Sequence, residues 1–419
     1  LIGGNAKFNS VLLGFNPATL ARDKAIEGWN KTVKQVIETA LQSDRFTLLN
    51  PVVGPEAVTG STRMKGGSAT KILLETAFAT ALDIVSGSEG LKAVTAENMF
   101  PLRELLLERL RAFRDATDAA YSNVGALAEL VRLAGTALRS GGRIHYLGRG
   151  MAGLLGIMDA SECPPTFGAD MFDVRGYVFE GWELLGSSTS AMSARGKAYQ
   201  IGHEYFEREV LPEISKGDLV IGICVQKLGD NTRRLLNEAA QLKAKTALLM
   251  VTTERPSADD LPDALRHTCI VETNRLGFGP GVSNEAELTL KLCLNAITTG
   301  GHVMAGKIYT NVMIDLRISN AKLYDRAVGL VANLTNTTLA EAQRALHHAI
   351  FRTPPKDEDY KDSLVSMSVQ RAIAKPRIIP LAILLATKKF TLEEAEDRLE
   401  AEPRVRRIIE EALGNVAAG

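Results

Sequence analysis

The feature that most constrains this chain is an alternation that stops. Up to about residue 307, short apolar runs trade places with longer helical ones; beyond it only helical runs remain. The short runs lie at 11–14, 46–49, 144–147, 177–179, 219–224, 247–251 and 269–271. Most are β-branched or leucine-rich and bounded by Gly, Asp or Asn, the pattern of strands buried on both faces. Helical periodicity covers 32–43, 66–86, 98–118, 122–139, 151–160, 190–210, 230–244 and 283–304. Such alternation predicts a doubly wound α/β fold with a mostly parallel sheet. Further on, 320–334, 339–350, 363–373, 380–388, 391–400 and 403–413 read as short helices with no strand signal between them. The expected layout is therefore α/β followed by an all-α domain, with 352–363, polar and proline-bearing, as a loop.

The α/β part carries a weak internal repeat. "GSATKILLETAFATAL" (67–82) and "NEAELTLKLCLNAITTG" (284–300) each follow a Gly-Pro loop, at 54–55 and 279–280. This suggests two α/β units. The first strand-like run begins almost at once, within "LIGGNAKFNSVLLGFNP", so the first unit is expected to be truncated at its N-terminus. The expected domains are 1–92, 93–306 and 307–419.

Totals narrow the function. A chain of 419 residues with 45% hydrophobic and 23% charged residues has the makings of a globular protein of two or three domains. Lys+Arg and Asp+Glu both number 49, which argues against nucleic acid or an acidic membrane as the main partner. No run reaches the ~20 apolar residues of a membrane span, and no signal peptide is evident. Four cysteines without a CxxC pair, each in an apolar stretch, read as reduced buried thiols of a cytoplasmic protein. The six histidines show no metal-ligand spacing, and no cofactor is implied.

Several stretches carry possible chemistry. "GPEAVTGSTRMKGGSATK" (54–71) places Ser61, Thr62 and Arg63 before a helix that follows a strand. Free backbone N–H groups, hydroxyls and a guanidinium suit a phosphate there. Equally, Ser61 or Thr62 would serve as a plain helix cap with Arg63 and Lys65 solvated. Gly148, Gly150 and Gly153 meet the GxGxxG spacing, but no hydroxyl stands in the turn and no acid is evident at the next strand end. Close strand–helix packing is the simpler reading. Glu162, before Pro164 and Pro165, is a candidate acid or base if its surroundings are apolar, and otherwise a surface carboxylate at a helix end. The prolines are expected to stop the helix. Lys322 follows the candidate caps Ser319 and Asn320, so it stands in a first turn, where a cation wants an anionic partner.

Three motifs carry a resemblance: "GPEAVTGSTRMKGGSATK", "DASECPPTFG" and "AGKIYTNVMIDLRISNAKLYDRA". They resemble the sugar-phosphate isomerase (SIS) fold family that includes N-acetylmuramic acid 6-phosphate etherase and glucokinase regulatory protein. The layout of two SIS units plus a helical lid looks like the regulatory protein; "DASECPPTFG" looks more like the etherase. The resemblance implies that Ser61, Thr62 and Arg63 match a sugar-phosphate-binding segment, Glu162 the etherase's catalytic glutamate, and Lys322 a lid lysine that reaches the sugar phosphate. It implies one sugar-phosphate site between the two units. Departures are visible. The family's Gly-Thr-Ser-Gly turn reads Gly148-Arg149-Gly150-Met151-Ala152-Gly153, and "GICVQKLGDN" (222–231) lacks its serine. Pro164 and Pro165 replace the histidine-bearing loop of the regulatory protein. The expectation is a phosphorylated-sugar binder needing no cofactor. As an etherase-like lyase it would take N-acetylmuramic acid 6-phosphate. The alternative is a regulator that answers to fructose phosphates and partners a sugar kinase.

Overall fold

The computed structural model describes residues 8–23, 25, 29–87, 91, 94–95, 98–257, 260–262, 265–279, 283–354, 363–373, 375–402 and 404–414. The chain divides into two compact units, residues 1–106 and 107–419.

In the first unit, β1 (Ser10–Leu13) and β2 (Phe46–Leu49) pair in parallel, Ser10 opposite Phe46 and Leu13 opposite Leu49. Between them runs α1 (Val33–Ala40), opened by a capping box of Thr32 and Gln35 that satisfies two end donors reciprocally. Asn50 fastens the loop after β1: its amide donates to the Gly14 and Asn16 carbonyls at 2.8 and 2.7 Å and its oxygen accepts from Ala18 N–H at 3.1 Å. A long helix, α2 (Lys65–Val85), completes the unit, and α3 (Phe100–Ala120) spans the junction.

The second unit continues with α4 (Val124–Arg139), β3 (Ile144–Gly148), α5 (Gly150–Ser161), the short α6 (Cys163–Phe167) and β4 (Val174–Val178). The periodic segment expected as one helix over 190–210 is instead broken. It forms α7 (Thr189–Ser193), α8 (His203–Tyr205) and a single π turn, Phe206–Val210. Gly196, at φ 113°, interrupts the helix, and Gly202 bridges to Val178 at the edge of the sheet. Then come β5 (Leu219–Val225), α9 (Asp230–Gln241), β6 (Lys245–Thr252), β7 (His267–Glu272) and α10 (Asn284–Met304). The sheet order is β4-β3-β5-β6-β7, all parallel, so the direction of winding reverses between β3 and β5. All seven expected strands form. The β4 expectation was placed late, because the buried strand starts at Val174 and ends at Val178.

Backbone packing explains the glycines. A Cβ added at Gly148 would lie 2.7 Å from Gly153 N, one at Gly153 2.7 Å from Val178 Cγ2, and one at Gly176 2.4 Å from Ile157 N. Helix α5 therefore lies directly against β3 and β4, and the close-packing reading of GxGxxG holds. On the other face Leu147, Tyr177, Val220, Leu248 and Met250 pack under Phe206, Leu211 and the α9 side chains Leu235, Leu236 and Ala239. All four cysteines are buried and unbridged.

Beyond residue 307 a strand signal was not expected, yet a two-residue hairpin forms: β8 (Ile308–Tyr309) with β9 (Val312–Met313). Its turn holds Thr310 at φ 53°, and it is too short for alternation to reveal. The helices follow as α11 (Ala321–Thr335), α12 (Leu339–Phe351), α13 (Ser363–Ala372), α14 (Ile378–Ala386), α15 (Leu392–Ala401) and α16 (Val405–Leu413). Helix α14 is apolar almost all round, and eight of its residues are buried, so it forms the centre of this domain. Thr338–Glu341 and Thr391–Glu394 close capping boxes on α12 and α15. Of the expected 352–363 loop, 355–362 lie outside the described residues, as does Pro280 of the second Gly-Pro loop.

Two testable consequences follow from this packing. Gly153→Ala should cost about 1–3 kcal/mol, the usual penalty of overpacking, read as a lower urea midpoint; an unchanged midpoint would contradict the contact. Burial also lowers His145 and His203 from 6.5 to about 4. Below pH 6.5 the unfolded chain binds these protons first, so stability should be full above that value and fall as pH drops toward about 4. Urea titrations across that window should show the decline, and its slope should shrink in His145→Gln.

Candidate functional site

In the first unit β2 delivers the chain to a turn carried by Gly54 (φ 76°) and Gly60 (φ 85°), which allow the backbone to double back before α2. Ser61 and Arg63 are buried, at 6% and 8% exposure, while Thr62 is exposed. The alternative of a solvated Arg63 therefore fails. Lys65 turns back, its ammonium donating to the Pro55 carbonyl at 3.0 Å. Neither Ser61 nor Thr62 caps α2; Met64 holds the cap position and makes no side-chain bond. Glu56 does the work instead, accepting from Lys65 N–H at 2.9 Å and Gly66 N–H at 2.8 Å. A carboxylate at a helix start meets both the unpaired donors and the positive dipole end. Two backbone donors expected for a phosphate are thus already engaged. The side chains here whose chemistry suits an anion are those of Ser61, Thr62 and Arg63.

In the second unit the reversal between β3 and β5 opens a cleft of about 520 Å³ at the carboxyl ends of the strands. Arg149, Gly150, Glu180, Lys227 and Asp230 line it. The acid that seemed missing at the next strand end is Glu180, two residues past β4. It accepts from Gly150 N–H at 3.1 Å and from Arg149 Nε at 3.0 Å. Burial works against its charge, but these donors together hold it below the usual carboxylate range. A negative group thus occupies the start of α5, where a bound phosphate would otherwise sit.

Glu162 stands at the junction of α5 and α6, helical at φ −82° and exposed, not in the apolar surroundings expected of it. Helix α5 ends at Ser161, before the prolines, as expected, but a second short helix follows it instead of a loop. Pro164 and Pro165 open α6, where a missing N–H costs nothing. The chain then turns at Gly168, φ 62°, against the Asp315 carbonyl. Asp315 pairs with Lys307 at 2.6 Å and is 97% buried, its exposure being 3%; burial lifts its pKa even so, against the pull of Lys307. Phe167 stacks on His302 of α10 at 4.1 Å. Lys322 is exposed in the first turn of α11, which Asn320 caps by accepting from Leu323 N–H at 3.0 Å. Among the described residues, neither Glu162 nor Lys322 makes a side-chain hydrogen bond or ion pair, with each other or with any other residue. No cluster of His, Cys, Asp or Glu suited to a metal occurs among the described residues, and no described helix is long and apolar enough to cross a membrane.

Comparison with known proteins adds to this geometry. Residues 121–305 match the family described as glucokinase regulatory protein, second SIS domain. Residues 310–409 match the C-terminal lid domain of glucokinase regulatory protein. The glucokinase regulatory protein of Xenopus laevis is 34% identical over 415 residues, covering 96% of this chain and 65% of that protein. The Homo sapiens protein is 34% identical over 423 residues, covering 98% and 66%. The chain thus spans just under two thirds of the length of the regulatory proteins it matches. An N-acetylmuramic acid 6-phosphate etherase of Yersinia pestis is 33% identical over 243 residues, 58% of this chain and 79% of the etherase. A phosphoheptose isomerase structure from Francisella tularensis aligns with a TM-score of 0.32 and 15% identity, over 49% of this chain and 99% of that one.

Replacing Glu180 tests the electrostatics of the cleft. Its depressed pKa contributes stability above the ordinary value of 4.5, and that stability is lost as pH falls through the folded value. Glu180→Gln should therefore lower stability at neutral pH and flatten this part of the acid loss. Equal pH profiles for variant and parent would contradict the role.

Proposed function

Because the chain belongs to the SIS family that holds the glucokinase regulatory proteins and the N-acetylmuramic acid 6-phosphate etherases, we propose that it binds a phosphorylated sugar and, in response, restrains a sugar kinase. The observation that carries this reading is the reach of the similarity. It runs through 96–98% of the chain and includes the lid for the regulatory proteins, against 58% for the etherase.

The phosphate-binding residues of this proposal are Ser61, Thr62, Arg63 and Lys322. A buried guanidinium is the strongest partner for a phosphoryl group, since it is always charged and pairs bidentately. The hydroxyls fix orientation. A sugar phosphate regulates only as far as it favours one state of the protein over another, so its effect on the kinase equals its difference in affinity for the two. Glu56 and Glu180 fit this reading as carboxylates engaged by the N–H groups at helix starts.

A second reading, elimination of lactate from N-acetylmuramic acid 6-phosphate with Glu162 as acid or base, has its own support. The etherase match covers 79% of that enzyme. An exposed carboxylate at a helix junction is reachable by substrate.

Two assays separate the readings. The regulator predicts that the protein slows a sugar kinase and that fructose phosphates change the inhibition; kinase rates indifferent to both would overturn it. The lyase predicts lactate release that Glu162→Gln abolishes; no lactate from either protein removes that reading. For binding, Arg63→Ala should weaken a hexose phosphate about 10–100-fold, the size of a lost hydrogen bond to a charged group. The exposed Lys322→Ala, which spares the core, should weaken it less. Unchanged calorimetric heats in both would contradict the assignment.

A further inference from the structure

At the amino-terminal edge of the second unit's sheet, opposite the cleft, lies a cavity of about 160 Å³. His145, the second residue of β3, lines it and is 98% buried, its exposure being 2%. Its Nδ1 has no hydrogen-bond partner. Beside it on β4, in register, is Arg175, 7% exposed. The Arg175 guanidinium lies 5.5 Å from the centroids of both Phe172 and Tyr177. It donates only to main-chain carbonyls, Gln200 at 2.7 Å and Lys197 at 3.4 Å. Among the described residues it has no carboxylate partner.

A buried cation without a counter-ion is costly, and so is a buried ring nitrogen without a partner. One bound anion would relieve both. The exposed side chains of Arg143 and Lys197 add positive charge at the mouth. Glu209 and Glu213 border it too, but Arg208 engages the first at 2.9 Å and Arg143 stands 3.8 Å from the second. At roughly 30 Å³ per water, the cavity has room for about five heavy atoms' worth of solvent, enough for one tetrahedral ion and too little for a hexose ring besides.

We propose that this cavity binds a free tetrahedral oxyanion of the inorganic phosphate class, with Arg175 as its buried cation, the His145 imidazole as a neutral donor, and Arg143 and Lys197 closing over it. The site is separate from Ser61, Thr62, Arg63 and Lys322 and does not depend on the regulatory reading. A nearby bound anion would tie the edge of β3 and β4 to the irregular segment 197–213.

The test uses the full chain carrying Arg63→Ala, in phosphate-free buffer, with ¹⁵N-labelled histidine followed by NMR. Inorganic phosphate should move the His145 ring signals in a saturable way. Arg143→Ala with Lys197→Ala, both exposed and harmless to the core, should weaken this by about tenfold or more, the size of one charge-assisted hydrogen bond. Glu213→Gln should tighten it. A hexose 6-phosphate should leave His145 unmoved. The proposal is overturned if high millimolar phosphate leaves the His145 ring unchanged, if the double variant binds as tightly as the parent, or if the hexose phosphate shifts the ring as strongly as the free ion.

Discussion

The glycines between α5 and the strands beneath it have no room for a side chain of their own, and much of the second unit follows from that contact. With no Cβ at Gly148, Gly153 or Gly176, helix and strands approach closely, and Glu180, just past β4, reaches Gly150 N–H. The same contact sets where α5 ends, at Glu162, and where α6 carries the chain on to Gly168. There the backbone meets Asp315, whose buried pair with Lys307 anchors the start of the helical domain. Close packing thus runs in series from the Gly-rich turn through the Glu162 junction to the start of the helical domain.

The two units meet the problem of a helix start alike. Each leaves unpaired N–H groups at the positive end of a dipole, and each satisfies them with a carboxylate from elsewhere in its own fold: Glu56 in the first, Glu180 in the second. In both, the backbone donors that many α/β proteins offer to a ligand phosphate are spoken for. The difference lies in the neighbouring side chains. Beside Glu56 stand two hydroxyl residues and a buried arginine; beside Glu180 stands an exposed arginine that already pairs with it. On the proposed reading the sugar phosphate is therefore assigned to the first unit's Ser61, Thr62 and Arg63 and not to the Glu180 cleft.

Much of this was legible in the residues. Seven short apolar runs became the seven strands of the parallel sheets; in β3 to β6 the cause is burial on both faces, which needs continuous apolar side chains, while β1, β2 and β7 keep exposed residues. Helices with capping boxes, such as Thr338–Glu341 and Thr391–Glu394, announced themselves through residues next in sequence. What escaped was non-local. Glu56 and Glu180 act on donors nine or more residues away, which no local pattern reveals. The 190–210 stretch kept helical periodicity, but Gly196 at positive φ and the pairing of Gly202 with β4 won over it. The surroundings of Glu162 were misjudged because apolar neighbours in sequence, such as Cys163 and Phe167, point into the core while the carboxylate points out. Burial of Arg63 could not be read from a segment rich in Gly and Ser, whose side chains say little about depth.

Arg63 and the hydroxyls beside it are thus the centre of the functional account. The most direct measurement is hydrogen exchange across residues 54–71 with and without a hexose phosphate. The account predicts that the ligand slows exchange at 60–64 while the Glu56-bonded amides of Lys65 and Gly66 stay protected in both states. Exchange in this segment that is the same with and without the sugar phosphate would contradict it.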